Sequence, residues 1–131
     1  MRLLALMFLC ISLSAVDVPD WVLVGILKVE TKSSFREDGS IKYVDKRRGT
    51  HGERGPFQMT RVAFNQIKRK GEQFWQIETD KALAEDCAKR YLVWLHENFS
   101  KGDWERTIEM YNAGPHGRSK RYLNAVIAAV N

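Results

Sequence analysis

Trp21-Val22-Leu23-Val24-Gly25-Ile26-Leu27-Lys28-Val29-Glu30 is a nearly unbroken apolar run that closes on a carboxylate. As a helix it would be apolar on most of its sides, which places it in the middle of a domain. Asp17, Pro19 and Asp20 supply a start, with proline in the first turn and acids near the positive end of the helix dipole. Glu30 is then costly where it stands. Burying an ionised carboxylate takes several kcal/mol unless it is paired, so the side chain is expected to keep its proton near neutral pH. The partial negative charge of the last helical turn acts in the same direction. A protonated Glu in such a place is a general acid. The alternative is a Glu at a helix end that simply points into solvent.

The stretches that follow read as further helices around one glycine-rich excursion. Residues 33–56 carry Gly39, Gly49, Gly52 and Gly55 and lack helical periodicity; within them Ile41 to Val44 has the pattern of a short strand entered by an Asp38-Gly39 turn. Thr60 is a cap for a helix over 61–70 that Gly71 ends. Thr79 is a cap for the longest helix, in which Leu83, Cys87, Tyr91, Trp94 and Leu95 recur at three- and four-residue steps until Gly102. Asp103 caps a helix through Tyr111 that Gly114-Pro115 breaks. Ser119 opens a last one carrying Tyr122, Leu123, Val126, Ile127 and Val130. The expected fold is mainly α: one domain of about five helices, with a glycine-rich loop or small β element after the first long helix.

Residues 1–15 begin with Arg2, continue as an apolar run from Leu3 to Leu13 and end in Ser14-Ala15. This is the pattern of a secretory signal peptide, with an apolar segment short for a membrane span. An uncleaved anchor is the alternative. The expected arrangement is a signal over 1–15, a domain over 16–131 and an exported protein in the periplasm or outside the cell. Cleavage leaves Cys87 as the remaining cysteine, so no internal disulfide is expected and the core must hold the fold; Cys87 itself reads as a buried small hydrophobe. The net charge of +5 is concentrated at Lys46-Arg47-Arg48, Lys68-Arg69-Lys70 and Arg118 to Arg121. In an exported protein such patches fit an anionic cell envelope better than nucleic acid, and solvated surface charge is the plainer account of each. His51, His96 and His116 have no metal-site spacing, and no phosphate-binding glycine loop is present, so neither metal nor cofactor is expected.

Three stretches, in fixed order, carry the chemistry: Ile26-Leu27-Lys28-Val29-Glu30-Thr31, with Ser34-Phe35 behind it; Gly52-Glu53-Arg54-Gly55-Pro56-Phe57-Gln58-Met59-Thr60; and Glu109-Met110-Tyr111-Asn112-Ala113-Gly114-Pro115. Together they resemble the lytic transglycosylases with a goose-type-lysozyme-like catalytic domain, the soluble lytic murein transglycosylase family, over nearly the whole of 16–131. The family's Glu-Ser at a helix end is matched by Glu30-Thr31, its Gly-Leu-Met-Gln by Gly55-Pro56-Phe57-Gln58, and its Tyr-Asn-Ala-Gly-Pro by Tyr111 to Pro115 without change.

The resemblance implies a lysozyme-like fold, peptidoglycan glycan strands as substrate, a monomeric enzyme open to envelope or secretion-machinery partners, and Glu30 as the catalytic acid and base. Thr31, Gly55, Phe57, Gln58, Met59, Tyr111 and Asn112 are its implied substrate-binding residues. Gly55 would let backbone approach a sugar, and the Gln58 amide would both donate to and accept from acetamido and hydroxyl groups. Phe57 and Met59 would wall off Glu30, and Tyr111 would bring its hydroxyl toward the carboxyl. Ordinary core packing accounts for Phe57 and Met59 as well, a helix-capping amide for Gln58 and a backbone partner for the Tyr111 hydroxyl.

Two departures stand out. Where the family commonly has Ser nine residues before the Gln, this chain has Gly49; where goose-type lysozymes have Asp two residues after it, this chain has Thr60. A glycosidase that hydrolyses usually needs two carboxylates. Here the motifs place one, with Asp38, Asp45 and Glu53 as further carboxylates in the loop. A single Glu suffices when the substrate's N-acetyl group assists and its own 6-hydroxyl closes a 1,6-anhydro ring. A lysozyme-type hydrolase, a wall-binding or virion structural protein that keeps the cleft without the activity, and a basic nucleic-acid-binding domain are the alternatives.

Overall fold

The computed structural model describes residues 16–31 and 48–131, and the expected signal peptide, the Ile41–Val44 strand and the loop carboxylates Asp38 and Asp45 lie outside them. The described residues form a small, mainly α-helical domain. Its elements are α1 (Asp20–Thr31), α2 (Arg61–Ile67), a 3-10 turn (Phe74–Glu78), α3 (Lys81–Leu95) running into a π turn (His96–Ser100), α4 (Trp104–Ala113) and α5 (Lys120–Val130). Among the described residues there is no strand; pairing is limited to isolated antiparallel bridges of Arg54 with Arg48 and with Met59.

Helix ends follow local side-chain chemistry. Pro19 lies just ahead of α1, and its carbonyl accepts from the Val22 and Leu23 amides at 3.0 and 3.4 Å. Thr60 accepts from the Ala63 amide at 3.1 Å, Asp80 from that of Leu83 at 3.0 Å and Asp103 from that of Arg106 at 3.0 Å, each satisfying a helix N-terminal donor. The cap of α3 is therefore Asp80 and not Thr79, which closes the preceding 3-10 turn instead. Helix α2 stops at Ile67, short of Lys70, because Lys68 is extended. Gly114, at φ 86°, ends α4.

The π turn that continues α3 is fixed by His96. Its ring stacks on Trp104 with centroids 3.7 Å apart, and Nδ1 lies 3.0 Å from the Thr107 hydroxyl. Burial holds the imidazole below its ordinary pKa, so it is kept neutral as a structural residue.

The core joins Val22 and Ile26 of α1 to Phe64 of α2, Phe74 and Ile77 of the 3-10 turn, Leu92 and Leu95 of α3, Ile108 of α4 and Val126 of α5. Cys87 lies within it, its thiol pushed up to about 11 first by burial, as suits an inert apolar filler. Helix α1 makes its largest contact with α5. Gly25 is what permits it, since a Cβ there would stand 2.7 Å from Val126 Cγ1 and 3.1 Å from the Val126 carbonyl. Trp21 and Val24 lie on an exposed side, so the apolar run is buried on one flank and open on the other.

Candidate active site

Residues 54–59 form a tight loop. Arg54 and Met59 exchange both backbone hydrogen bonds at 3.0 Å, and the Gln58 amide donates to the Gly55 carbonyl at 3.0 Å. Gly55 at φ 77° and Gln58 at φ 46° both sit in the left-handed region. For Gly55 that is free; for Gln58 it is a strained position of the kind that clusters at functional sites. The side-chain Nε2 of Gln58 also donates to the Gly55 carbonyl, at 2.9 Å, which orients the amide; Thr60 alone caps α2.

This loop faces the end of α1 and the end of α4 across a cleft of about 310 Å³, lined by Glu30, Arg48, Gly49, Glu53, Gln58, Thr60, Tyr111 and Asn112. Residues from all three sequence stretches thus meet at one place. Glu30 is half-buried and accepts the Tyr122 hydroxyl at Oε1 over 2.8 Å. Tyr111 donates its hydroxyl to the Phe57 carbonyl at 2.6 Å, which ties α4 to the loop carrying Gln58. Burial first, and then the charge of Glu30, push the phenols of Tyr111 and Tyr122 well above their ordinary value, so both remain donors.

No family model, curated protein or solved structure matches this chain.

Four of the expected binding residues do not line the cleft, each for a local reason. Thr31 is buried and donates its hydroxyl back to the Leu27 carbonyl at 2.7 Å. Gly55 is required by packing, because a Cβ would stand 2.6 Å from the Ile77 carbonyl oxygen. Met59 is a core side chain. Phe57 is also core and borders a separate apolar hollow with Leu23, Val24, Leu27 and Pro56. Asn112, by contrast, is exposed at the cleft edge.

Tyr122 was expected only as an apolar-face residue of α5. Its signal was available in outline: a Tyr on a buried face needs a partner for its hydroxyl, and so does a carboxylate at the end of an apolar helix. Glu109, just ahead of Tyr111, is another residue whose role was not legible. It is buried, with Arg106 and Arg118 each 3.6 Å from Oε2, while Arg106 also donates to the Gly117 carbonyl. These contacts fasten the chain beyond Gly114 to α4. Arg48, which lines the cleft, and Arg54 flank the buried Glu78 carboxylate at 3.6 and 3.2 Å.

Chemically, the cleft offers one half-buried carboxylate held by a phenol, a second carboxylate at Glu53, an oriented amide, Asn112 and the Arg48 cation. Among the described residues no group of three or more His, Cys, Asp and Glu side chains is placed to hold a metal ion. The set suits a neutral, hydroxyl- and amide-rich ligand and one proton carrier.

Proposed function

We propose that this protein is a lytic transglycosylase of lysozyme-like fold. It cleaves the β-1,4 bond between N-acetylmuramic acid and N-acetylglucosamine in exported form, as a monomer acting on peptidoglycan strands. The observation that carries this reading is the meeting of Glu30, Gln58 and the Tyr111-Asn112 pair in one cleft, from segments with no local reason to meet. The Tyr122 hydrogen bond adds to it, since it fixes where the Glu30 carboxyl points.

In the proposed reaction Glu30 gives its proton to the glycosidic oxygen as the C1–O4 bond breaks, and the acetamido oxygen of the same sugar bonds to C1. The 6-hydroxyl then attacks C1 and the acetamido oxygen leaves. The Glu30 carboxylate takes up the hydroxyl proton, which returns the enzyme to its starting state. One group thus serves as acid and then as base, within the reach of a single side chain.

A lysozyme-type hydrolysis is the second reading, and the Glu53 carboxylate in the same cleft is the observation in its favour. Mass spectrometry of digested peptidoglycan separates the two. The expected muropeptides end in 1,6-anhydro-muramic acid and are one water lighter than those of a hydrolase; reducing ends alone would overturn the transglycosylase reading.

A further inference from the structure

Gly49 and Glu53 occupy the cleft as a matched pair. A Cβ at position 49 would fall on the Glu53 Oε2, 2.7 Å from its carboxyl carbon and 2.9 Å from the Gln58 Oε1. Gly49 has no positive φ that would call for glycine. What the missing side chain does is leave room for a carboxylate. The Glu53 carboxylate is held from behind, accepting the His51 backbone amide at 3.0 Å with the His51 ring nitrogen 3.4 Å away, and the Gly49 amide donates to the Glu53 carbonyl at 2.9 Å. Because Nε2 of Gln58 is turned to the Gly55 carbonyl, the Gln58 oxygen is the atom turned toward this point. Two acceptor oxygens of the cleft lining therefore lie near one another beside Gly49, and the ligand group that suits such a pair is a donor, favoured further if it gains positive charge.

An N-acetyl sugar carries one such group next to the reacting carbon. When the acetamido oxygen bonds to C1, the ring formed is an oxazolinium ion whose positive charge is shared by the nitrogen, and its N–H becomes a much stronger donor. Resting on the proposed transglycosylase reading, we propose that Glu53 is the residue that accepts this acetamido N–H, with Gln58 beside it. Glu53 orients the acetamido group for attack and stabilises the oxazolinium. Its proton inventory does not change: Glu30 supplies and recovers the proton, and Glu53 contributes a hydrogen bond that strengthens as charge develops, which is the kind of interaction that raises kcat rather than lowering KM. The specificity that follows is for strands whose sugar at this position keeps its N-acetyl group; de-N-acetylated strands lack the group that Glu53 reads.

The experiment compares wild type, Glu53→Gln and Gly49→Ala in kcat and KM on peptidoglycan, in product masses, and in binding of N-acetylglucosamine-thiazoline, a mimic of the cyclised intermediate whose ring nitrogen, in its protonated form, presents the N–H of the oxazolinium. Glu53→Gln keeps an acceptor for the His51 amide but loses the charge; Gly49→Ala keeps the charge but displaces it. Both are expected to fold, to lower kcat at least about tenfold with little change in KM, and to weaken thiazoline binding by a similar factor, the size of one charge-assisted hydrogen bond. The residual products should still carry anhydro ends. Unchanged kcat in Glu53→Gln overturns the proposal, as does a loss of activity with thiazoline binding intact. Reducing-end products from wild type would make Glu53 a base for water and overturn it also. Anhydro products formed at an undiminished rate by Glu30→Gln would overturn the reading of Glu30 and leave the kcat and thiazoline comparisons to judge Glu53.

Discussion

Tyr122 on α5 donates its phenolic hydrogen to Oε1 of Glu30 at the end of α1, over 2.8 Å and 92 positions of sequence. The bond joins α1 to α5 at the group on which the proposed chemistry depends. A hydrogen bond to a carboxylate favours its charged form, so Tyr122 is placed to influence both the direction and the acidity of Glu30.

Tyr122→Phe removes that donor and little else. Cleavage of peptidoglycan should fall about tenfold, in keeping with one hydrogen bond to a charged group. With the charged form of Glu30 less favoured than in wild type, the descending limb of the pH–rate profile should move to higher pH. A profile recorded by clearing of wall suspensions checks this; an unmoved limb would mean that the bond is structural only.

Glu30→Gln preserves shape and can still accept from Tyr122, but cannot carry a proton. Activity should drop by at least about a hundredfold while wall binding survives. Thermal stability should hold or rise slightly, as substitutions at functional carboxylates commonly do. Clearing assays, pelleting with insoluble wall and a thermal melt give the three readings. Near-normal clearing would shift attention to Glu53.

Stability should fall on both sides of neutrality. On the acid side, the neutral His96 has a pKa below its ordinary 6.5, so the unfolded chain binds more protons and stability declines as pH falls through that value. Glu72 is held below its ordinary 4.5 chiefly by hydrogen bonds from Arg90, and its contribution is lost at lower pH still. On the alkaline side, Tyr91, Tyr111 and Tyr122 all lie above 10.0 through burial; the unfolded chain then loses protons first, and stability declines above that value. Denaturant midpoints across the pH range test both slopes, and a phenolate absorbance that appears only with unfolding tests the second.

Gly25→Ala forces a methyl group against Val126 in a closely packed contact. The expected cost is about 1–3 kcal/mol in chemical denaturation, with activity reduced further than stability predicts because α5 carries Tyr122. An Ala variant as stable as wild type would show that α5 can shift outward freely.

The helices were legible because their ends are written in single residues: Thr60 and Asp103 cap as read, and Gly114 stops α4. The cap of α3 was misread by one place because Thr79 and Asp80 are both competent, and the 3-10 turn ahead of it, which places Thr79 last, has no period to betray it. Residues flagged by motif alone divided by side-chain direction. Glu30, Gln58, Tyr111 and Asn112 reach the cleft, whereas Thr31, Phe57 and Met59 turn inward, and a linear motif does not encode that turn. Tyr122 and Glu53 were harder still. Their significance lies in what stands opposite them in space, Glu30 for one and the absent side chain of Gly49 for the other.

The close seat of α1 on α5 also sets an order in which the cleft can be assembled. Glu30 is made 92 positions ahead of Tyr122, so during synthesis α1 emerges before the helix it packs against and before the phenol that holds its carboxylate. A nascent chain lacking residue 122 has the acid but not its anchor. In the proposed reaction, the order of the sequence thus delays an anchored acid until α5 has been made and has docked on α1.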